Sequence, residues 1–217
     1  MSARRALVGP LVALVTLVSA CTSTPSPASL PDAKEVLAKS ADTMAGVKST
    51  HFAIKVDGDL PQLGVQGADG DLNAAGDAKG KAKTNQFGQL LEVDFVLAGG
   101  DLYIKGPTGG FQKLPAVLKG QVYDPTAILN PDRGVAKVLR SVRDPKTESS
   151  EGDTTVVSGT VPKDVAASLV PGISADVASR FTLDGSKLKT ARFELTGGSV
   201  EVALSDLDKA VEVAPPA

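Results

Sequence analysis

Behind Arg4 and Arg5 the chain opens with a short, mostly apolar run, Leu11 to Val18, and a polar stretch, Thr22 to Ser29, follows. Periodic patterning begins only after that. In LPDAKEVLAKSADTMAGVKS the residues Val36, Leu37, Ala41, Met44, Ala45 and Val47 recur near helical spacing. Asp32 followed by Glu35 is a capping pattern and Gly46 suits a helix end, so a helix is predicted at about 33–46.

The period then falls to two. Phe52, Ile54 and Val56 alternate with His51, Ala53 and Lys55. Asp57-Gly58-Asp59 and Asp69-Gly70-Asp71 both read as hairpin turns. DAKGKAKT, Asp77 to Thr84, alternates too, as does Leu91 to Leu97, which Gly99-Gly100 ends; Leu102 to Lys105 is a further short strand. A meander of antiparallel strands is therefore expected between about 50 and 115. Tyr123 to Asp144 holds two helix starts, with Pro125 and Pro131 in first-turn positions and Val135, Val138, Leu139 and Val142 as an apolar stripe. A strand at Thr154 to Val161 and a short helix near Lys163 to Leu169 follow, the helix stopped by Pro171-Gly172. The chain closes with strands at Ala178 to Leu183, Leu188 to Leu195 and Ser199 to Leu204, the first two joined at Asp184-Gly185. The pattern predicts nine or ten strands with two or three helical inserts, an α+β fold built on one large antiparallel sheet.

One strand is unusual in what it places inward. In DAKGKAKT the charged residues share one parity, which leaves Ala78, Gly80, Ala82 and Thr84 on the other. Ordinary core strands carry Val, Ile, Leu or Phe there. Small inward residues on a curved sheet leave space for a ligand, and acyl chains need a long, dry, aliphatic one. Ala78, Gly80 and Ala82, together with Leu91, Val93, Phe95 and Leu97 of the next strand, are the candidate lining of an apolar cavity. The competing reading is that the small residues pack closely against the N-terminal helix.

The first thirty residues change the picture of where such a domain works. The basic start and short apolar run make a secretory signal, too short for a stable membrane span. Val18-Ser19-Ala20-Cys21 resembles a bacterial lipobox, in which the cysteine becomes the first mature residue and is acylated; ordinary signal-peptidase cleavage nearby is the alternative. Cys21 is the only cysteine, so no disulfide can staple an exported domain. The expected organisation is a signal peptide at 1–20, a lipidated Cys21 with a Ser/Thr/Pro-rich tether over 21–30, and one domain at 31–217 on the outer, periplasm-like face of the cell membrane. Without Arg4 and Arg5 the formal charge moves from −2 to about −4, with no basic cluster, which argues against nucleic acid as a partner. Tryptophan is absent and aromatics are 4%, so stacking platforms for bases or sugars are not expected.

Reactive chemistry is sparse. His51 is the only histidine and sits at a strand start on the polar parity, where a solvated or locally bonded ring is expected. There is no Gly-x-Ser-x-Gly elbow and no second histidine or cysteine for a metal site. The aspartates at 57/59 and 69/71 lack the rest of a calcium loop and fit turns better. No catalytic residue, metal or cofactor is expected, and the protein is read as a non-enzyme; an envelope hydrolase is the remote rival.

VYDPTAILNPDRGVAKVL, Val122 to Leu139, resembles a stretch of the mycobacterial LppX/LprA/LprF/LprG lipoproteins, as do LPDAKEVLAKSADTMAGVKSTHFAIKVDGDLP, LLEVDFVLAGGDLY and the lipobox. Phe181 and Leu207 stand where family members often carry tryptophan. The resemblance implies a half-open antiparallel β-barrel of the LolA/LolB type, wrapped over several helices and holding an apolar cavity. It also implies a membrane-anchored carrier that binds multi-acylated lipids or glycolipids and moves them through the cell envelope, with an envelope transporter as a further partner. An accessory lipoprotein that docks onto such a transporter without carrying lipid is the second reading.

Overall fold

The computed structural model describes residues 30–61, 63–86, 89–115 and 124–216. The first helix, α1 (Ala33–Ala45), begins where expected because the Asp32 carboxylate accepts the Glu35 backbone N–H at 2.9 Å. Leu37, Ala41 and Met44 form its buried stripe, with Ser40 buried among them, while Ala45 faces solvent. Gly46 closes the helix and the chain turns directly into the sheet.

Eleven antiparallel strands follow: β1 (Ser49–Gly58), β2 (Val65–Asn73), β3 (Ala78–Gln86), β4 (Gln89–Ala98), β5 (Asp101–Lys105), β6 (Gln112–Lys113), β7 (Arg143–Glu151), β8 (Thr154–Val161), β9 (Val177–Asp184), β10 (Lys187–Leu195) and β11 (Gly198–Ser205). Their order across the sheet is β6-β5-β4-β3-β2-β1-β11-β10-β9-β8-β7. The sheet is thus two meanders, β1–β6 and β7–β11, joined where β1 pairs with β11. Its outer strands, β6 and β7, do not pair with one another, so the barrel is half open.

Between the meanders come a 3₁₀ turn at Pro125–Leu129, the helix α2 (Val135–Arg140) and, after β8, the helix α3 (Lys163–Leu169). Asp124 caps the 3₁₀ turn through Thr126 N–H at 3.0 Å, with Pro125 in the first turn as expected. Pro131 does not start a helix. Gly134 is the N-cap of α2, at a site where a Cβ would meet the Ile128 carbonyl at 2.3 Å, so no larger residue fits the close turn. Helix α1 packs on α2 and on β7 and β10, whereas the 3₁₀ turn rests on β2.

Two further expectations need correction. Asp69-Gly70-Asp71 is not a turn but the middle of β2; the real β2–β3 turn is at 74–77, where Asn73 Oδ1 accepts the Asp77 N–H at 3.0 Å. Gly70 stands directly opposite Gly80, and a Cβ on Gly70 would meet the Lys79 carbonyl at 2.3 Å. The glycine serves a close approach of two strands, not a reversal. Second, β7 was not expected, because RDPKTESSE has no apolar alternation. It forms by pairing with β8 at the edge of the sheet, where polar residues and Pro145 suit a strand with one unpaired side.

Candidate functional site

The strand register fixes which residues share the inner face. Ala78, Gly80 and Ala82 of β3 pair with Leu97, Phe95 and Val93 of β4, and Thr84 pairs with Leu91. Directly opposed residues point to the same side, so the seven candidate lining residues do lie on one face. Leu102 and Ile104 of β5 continue it, opposite Leu97 and Phe95.

These residues form rows across β2, β3 and β4, and burial falls from the first row to the last along β2 and β3 but not along β4. Leu72 and Ala78 are fully buried, 0% exposed, and Leu102 is buried, while Leu97 between Ala78 and Leu102 is half-buried. Gly70, Gly80 and Phe95 make the next row; Phe95 is buried and Gly80 partly so. Ala68, Ala82 and Val93 follow, with Ala82 and Val93 half-buried. The last row, Val65, Thr84 and Leu91, is half-buried throughout. Leu90, 62% exposed, pairs with Asn85 and so belongs to the opposite face. The apolar face is therefore deepest at the Leu72–Ala78 pair and half-buried at the end where β3 leads into β4.

Part of DAKGKAKT is close-packed, but against strand β2 rather than the N-terminal helix, whose main contacts in the sheet are with β7 and β10. Ala78 belongs to the buried core, and Gly80 lets β3 approach β2, since a Cβ there would meet the Asp69 carbonyl at 2.2 Å. These two are close-packing residues. Ala82 only flanks the core and lies in the open part of the face. Thr84 was not among the candidate lining residues. Its hydroxyl is buried in the open row without a hydrogen-bond partner among the described residues. An unpaired buried hydroxyl costs about 1–3 kcal/mol, so it is a polar handle in an otherwise aliphatic row. Its inward parity was visible in the sequence; its lack of a partner was not.

The opposite face is ionic. His51 Nδ1 lies 2.9 Å from Asp71 and Nε2 lies 3.3 Å from Asp69, so the histidine is locally bonded to both aspartates. The Asp71 hydrogen bond raises the His51 pKa above its ordinary 6.5, against a smaller opposing effect of burial and with the help of Asp69. Lys81 bridges Glu92 at 3.2 Å and Asp94 at 3.6 Å. A concavity of about 670 Å³ on this outer face crosses β10, β11 and β1–β4. Its lining mixes aliphatic residues with four cationic and four anionic side chains. Among the described residues no group of three or more His, Cys, Asp or Glu is placed to hold a metal ion, and no helix is long and apolar enough to cross a membrane. Cys21 lies outside the described residues.

A half-open antiparallel sheet whose apolar inner face is covered by helices on one side and left uncovered on the other is the architecture defined here. The LppX_LprAFG lipoprotein family matches residues 32–213, and the chain belongs to that family. It is 34% identical over 226 residues to the lipoarabinomannan carrier protein LprG of Mycobacteroides abscessus, covering 99% of this chain and 97% of that protein. The LprG of Mycolicibacterium smegmatis is also 34% identical, over 95% of this chain and 93% of its own length. Among solved structures, LprF from Mycobacterium bovis superposes with a TM-score of 0.76 over 87% of this chain and 98% of that one, at 24% identity. LppX from Mycobacterium tuberculosis gives 0.63 over 86% of this chain and 100% of that one, at 26% identity.

Proposed function

We propose that the protein is a membrane-anchored, non-enzymatic carrier that shelters the acyl chains of a multi-acylated lipid or glycolipid on the inner face of β2–β5 and moves it through the cell envelope. The observation that carries this reading is the contrast in burial along β2 and β3 of one aliphatic face. Aliphatic residues of one face pass from fully buried at Leu72 and Ala78 to half-buried at Val65 and Leu91. A folded domain gains by covering such surface, and acyl chains would cover it at roughly 0.8 kcal/mol per CH₂. Ala82, Val93, Phe95 and Leu97 would line the chains, with Leu91 at the mouth, and the Thr84 hydroxyl would donate to a carbonyl or hydroxyl at the head of the ligand. Ala78 and Gly80 shape the closed end. The naming of the LprG relatives as lipoarabinomannan carriers supports a glycolipid as the ligand class.

In this reading a lipid on Cys21 holds the domain at the outer face of the cell membrane. Residues 22–29 add a reach of up to about 25–30 Å when extended. Tight burial of several chains makes spontaneous release slow, so an acceptor membrane or an envelope transporter has to take the lipid over.

Mass spectrometry of organic extracts from purified non-acylated protein tests the carrier. Co-purifying multi-acyl lipid, one molecule per chain, is expected. Protein that is clean, and stays clean after incubation with such lipids, would show instead an accessory lipoprotein that docks without cargo. Replacing Cys21 by Ala is expected to abolish labelling with palmitate and to release the protein from membranes; full labelling of Cys21→Ala would refute the anchor.

A further inference from the structure

Just beyond the deepest row of the inner face, hydrogen bonds tie together segments that are remote in sequence. Lys48, in the joint between α1 and β1, donates its N–H to the Asp208 carboxylate at 2.8 Å, and its carbonyl accepts the Ala74 N–H at 2.7 Å. Asp77, at the end of the β2–β3 turn, accepts the Gly99 N–H of the β4–β5 turn at 3.0 Å. The ties thus run from the segment after β11, through the α1–β1 joint and the β2–β3 turn, to the β4–β5 turn. The row they border pairs Thr50 with Leu72 and Leu72 with Ala78.

The tie after β11 is built differently from the others. There the chain turns back over Asp206 and Asp208, both in the left-handed backbone region, with φ of 52° and 63°. Aspartate visits that region more readily than most residues, but glycine alone occupies it freely. The Asp208 N–H donates to the Ser49 carbonyl at 2.9 Å, and the Ser49 hydroxyl donates to the Lys209 carbonyl at 2.5 Å. Asp206, Asp208 and Lys209 are exposed, and Leu207 is the residue of this turn that packs against the core. A turn held by hydrogen bonds near water and by one apolar side chain has low local stability, and such segments open ahead of the sheet around them.

Opening has a specific consequence. The Lys48 N–H and the Ser49 hydroxyl lose their partners together. Ser49 is 6% exposed and the next residue, Thr50, is fully buried, with its hydroxyl donating to the Ser205 carbonyl at 2.8 Å. Water then reaches the residues that flank Leu72, at the deepest point of the apolar face. From Thr84 in the half-buried row to Ala78 in the deepest row is six residues of β3, a path of about 20 Å at 3.3 Å per residue. An octanoyl chain held at the half-buried end stops well short of this point, and a stearoyl chain reaches it.

We propose that the C-terminal turn at 206–209 is a latch on the deep end of the inner face, and that its opening sets how fast long acyl chains are released. The proposal rests on the carrier reading above. With the latch closed, the end of a long chain lies in a dry dead end. With it open, the last methylenes lose their cover and retention weakens.

The test compares the full chain with Asp208→Ala and Asp208→Asn. Alanine removes the acceptor for Lys48, whereas asparagine keeps an oxygen there and tolerates the left-handed backbone. In lipid-free Asp208→Ala, amide hydrogen exchange at Lys48 and Ala74 should accelerate about tenfold, with the Phe193 and Val200 amides unchanged. Asp208→Asn should stay near wild type. Transfer of distearoyl phosphatidylglycerol to phosphatidylcholine vesicles should be several-fold faster from Asp208→Ala, and transfer of the dioctanoyl lipid unchanged. Unaltered exchange at Lys48, or an equal rise at Phe193 and Val200, overturns the latch. Faster exchange with no change in stearoyl transfer overturns its control of release and leaves the carrier standing. Equal acceleration of both lipids overturns its placement at the deep end. If neither lipid loads onto the wild-type protein, the carrier reading itself fails and the proposal falls with it.

Discussion

The two halves of the sheet are built from the same strand geometry and differ in what covers them. On β8–β11 the inner face is a finished core: Val157, Phe181, Leu183, Phe193, Val200 and Val202 are fully buried, and Phe181 meets Phe193 edge to face at 6.5 Å between centroids. Helix α1 lies over this half, on β7 and β10. On β2–β5 the inner face carries Ala, Gly and Thr beside Leu and Val, the 3₁₀ turn on β2 is the main helical cover, and the rows open toward Thr84. The difference teaches that one sheet can be stabilised mainly by half of its inner surface, and in the proposed carrier the other half is the one shaped for a ligand. Packing in the finished half supplies the rigidity that holds the unfinished half open.

The comparison breaks most severely if it is tested by removing side chains. Phe193→Ala deletes a fully buried ring from the finished half and should cost about 3–5 kcal/mol of unfolding free energy. Leu91→Ala removes a half-buried side chain from the open row and should cost well under half of that, while lowering lipid retention. Urea unfolding curves of the two variants, read side by side, decide it. Similar losses at both sites would mean that the β2–β5 face is as tightly packed as the other half.

Adding volume sharpens the contrast from the other side. Ala191 of β10 and Ala82 of β3 are both inward alanines, but Ala191 is 1% exposed in the finished core and Ala82 only flanks it. Ala191→Trp should overpack and destabilise by about 1–3 kcal/mol or more. Ala82→Trp should leave the melting temperature near wild type and reduce bound lipid per protein, because the indole takes ligand space. Lys81→Trp, one residue away on the outer face, should spare lipid binding. An Ala82→Trp protein that melts far below wild type, or keeps its full lipid load, would place Ala82 with Ala78 and Gly80 as a close-packing residue.

Much of this contrast was legible in the sequence, since parity alone puts Ala78, Gly80 and Ala82 on one face with Leu91, Val93, Phe95 and Leu97. The helix at 33–46, the strand at Thr154 to Val161 and the last hairpin follow from local periodicity and turn chemistry, and they appear within a residue or two. What parity does not encode is depth. Ala78 is buried and Ala82 only flanks the core, and that depth depends on which distant segments cover the face, such as the 3₁₀ turn on β2, more than fifty residues away in sequence. Gly70 was misread for a similar reason. Asp-Gly-Asp is a local signal for a turn, but the glycine answers to the backbone of Gly80 on the neighbouring strand. Strand β7 shows the limit most clearly, because nothing in RDPKTESSE asks for a strand except an available edge on β8.

The smallest expected effect concerns the outer face, where the two meanders meet. His51 on β1 holds Asp69 and Asp71 of β2 and faces Ser205 of β11 across the seam. The Asp71 hydrogen bond raises its pKa above 6.5 in the folded protein. A raised value means that the folded state favours the protonated ring. Its stabilisation is therefore fully present below pH 6.5 and disappears as the pH rises through the folded value. The ring and both carboxylates are partly exposed, so the contribution is at most about 1 kcal/mol after solvent screening. His51→Ala should accordingly lower the melting temperature slightly at pH 5.5 and leave it nearly unchanged at pH 8.5. Lipid loading should stay near wild type at both, since His51 points away from the inner rows. A loss of loading by orders of magnitude in a folded His51→Ala protein would show that the ionic face is coupled to the apolar one, and the separation of roles between the two faces of β1 and β2 would not hold.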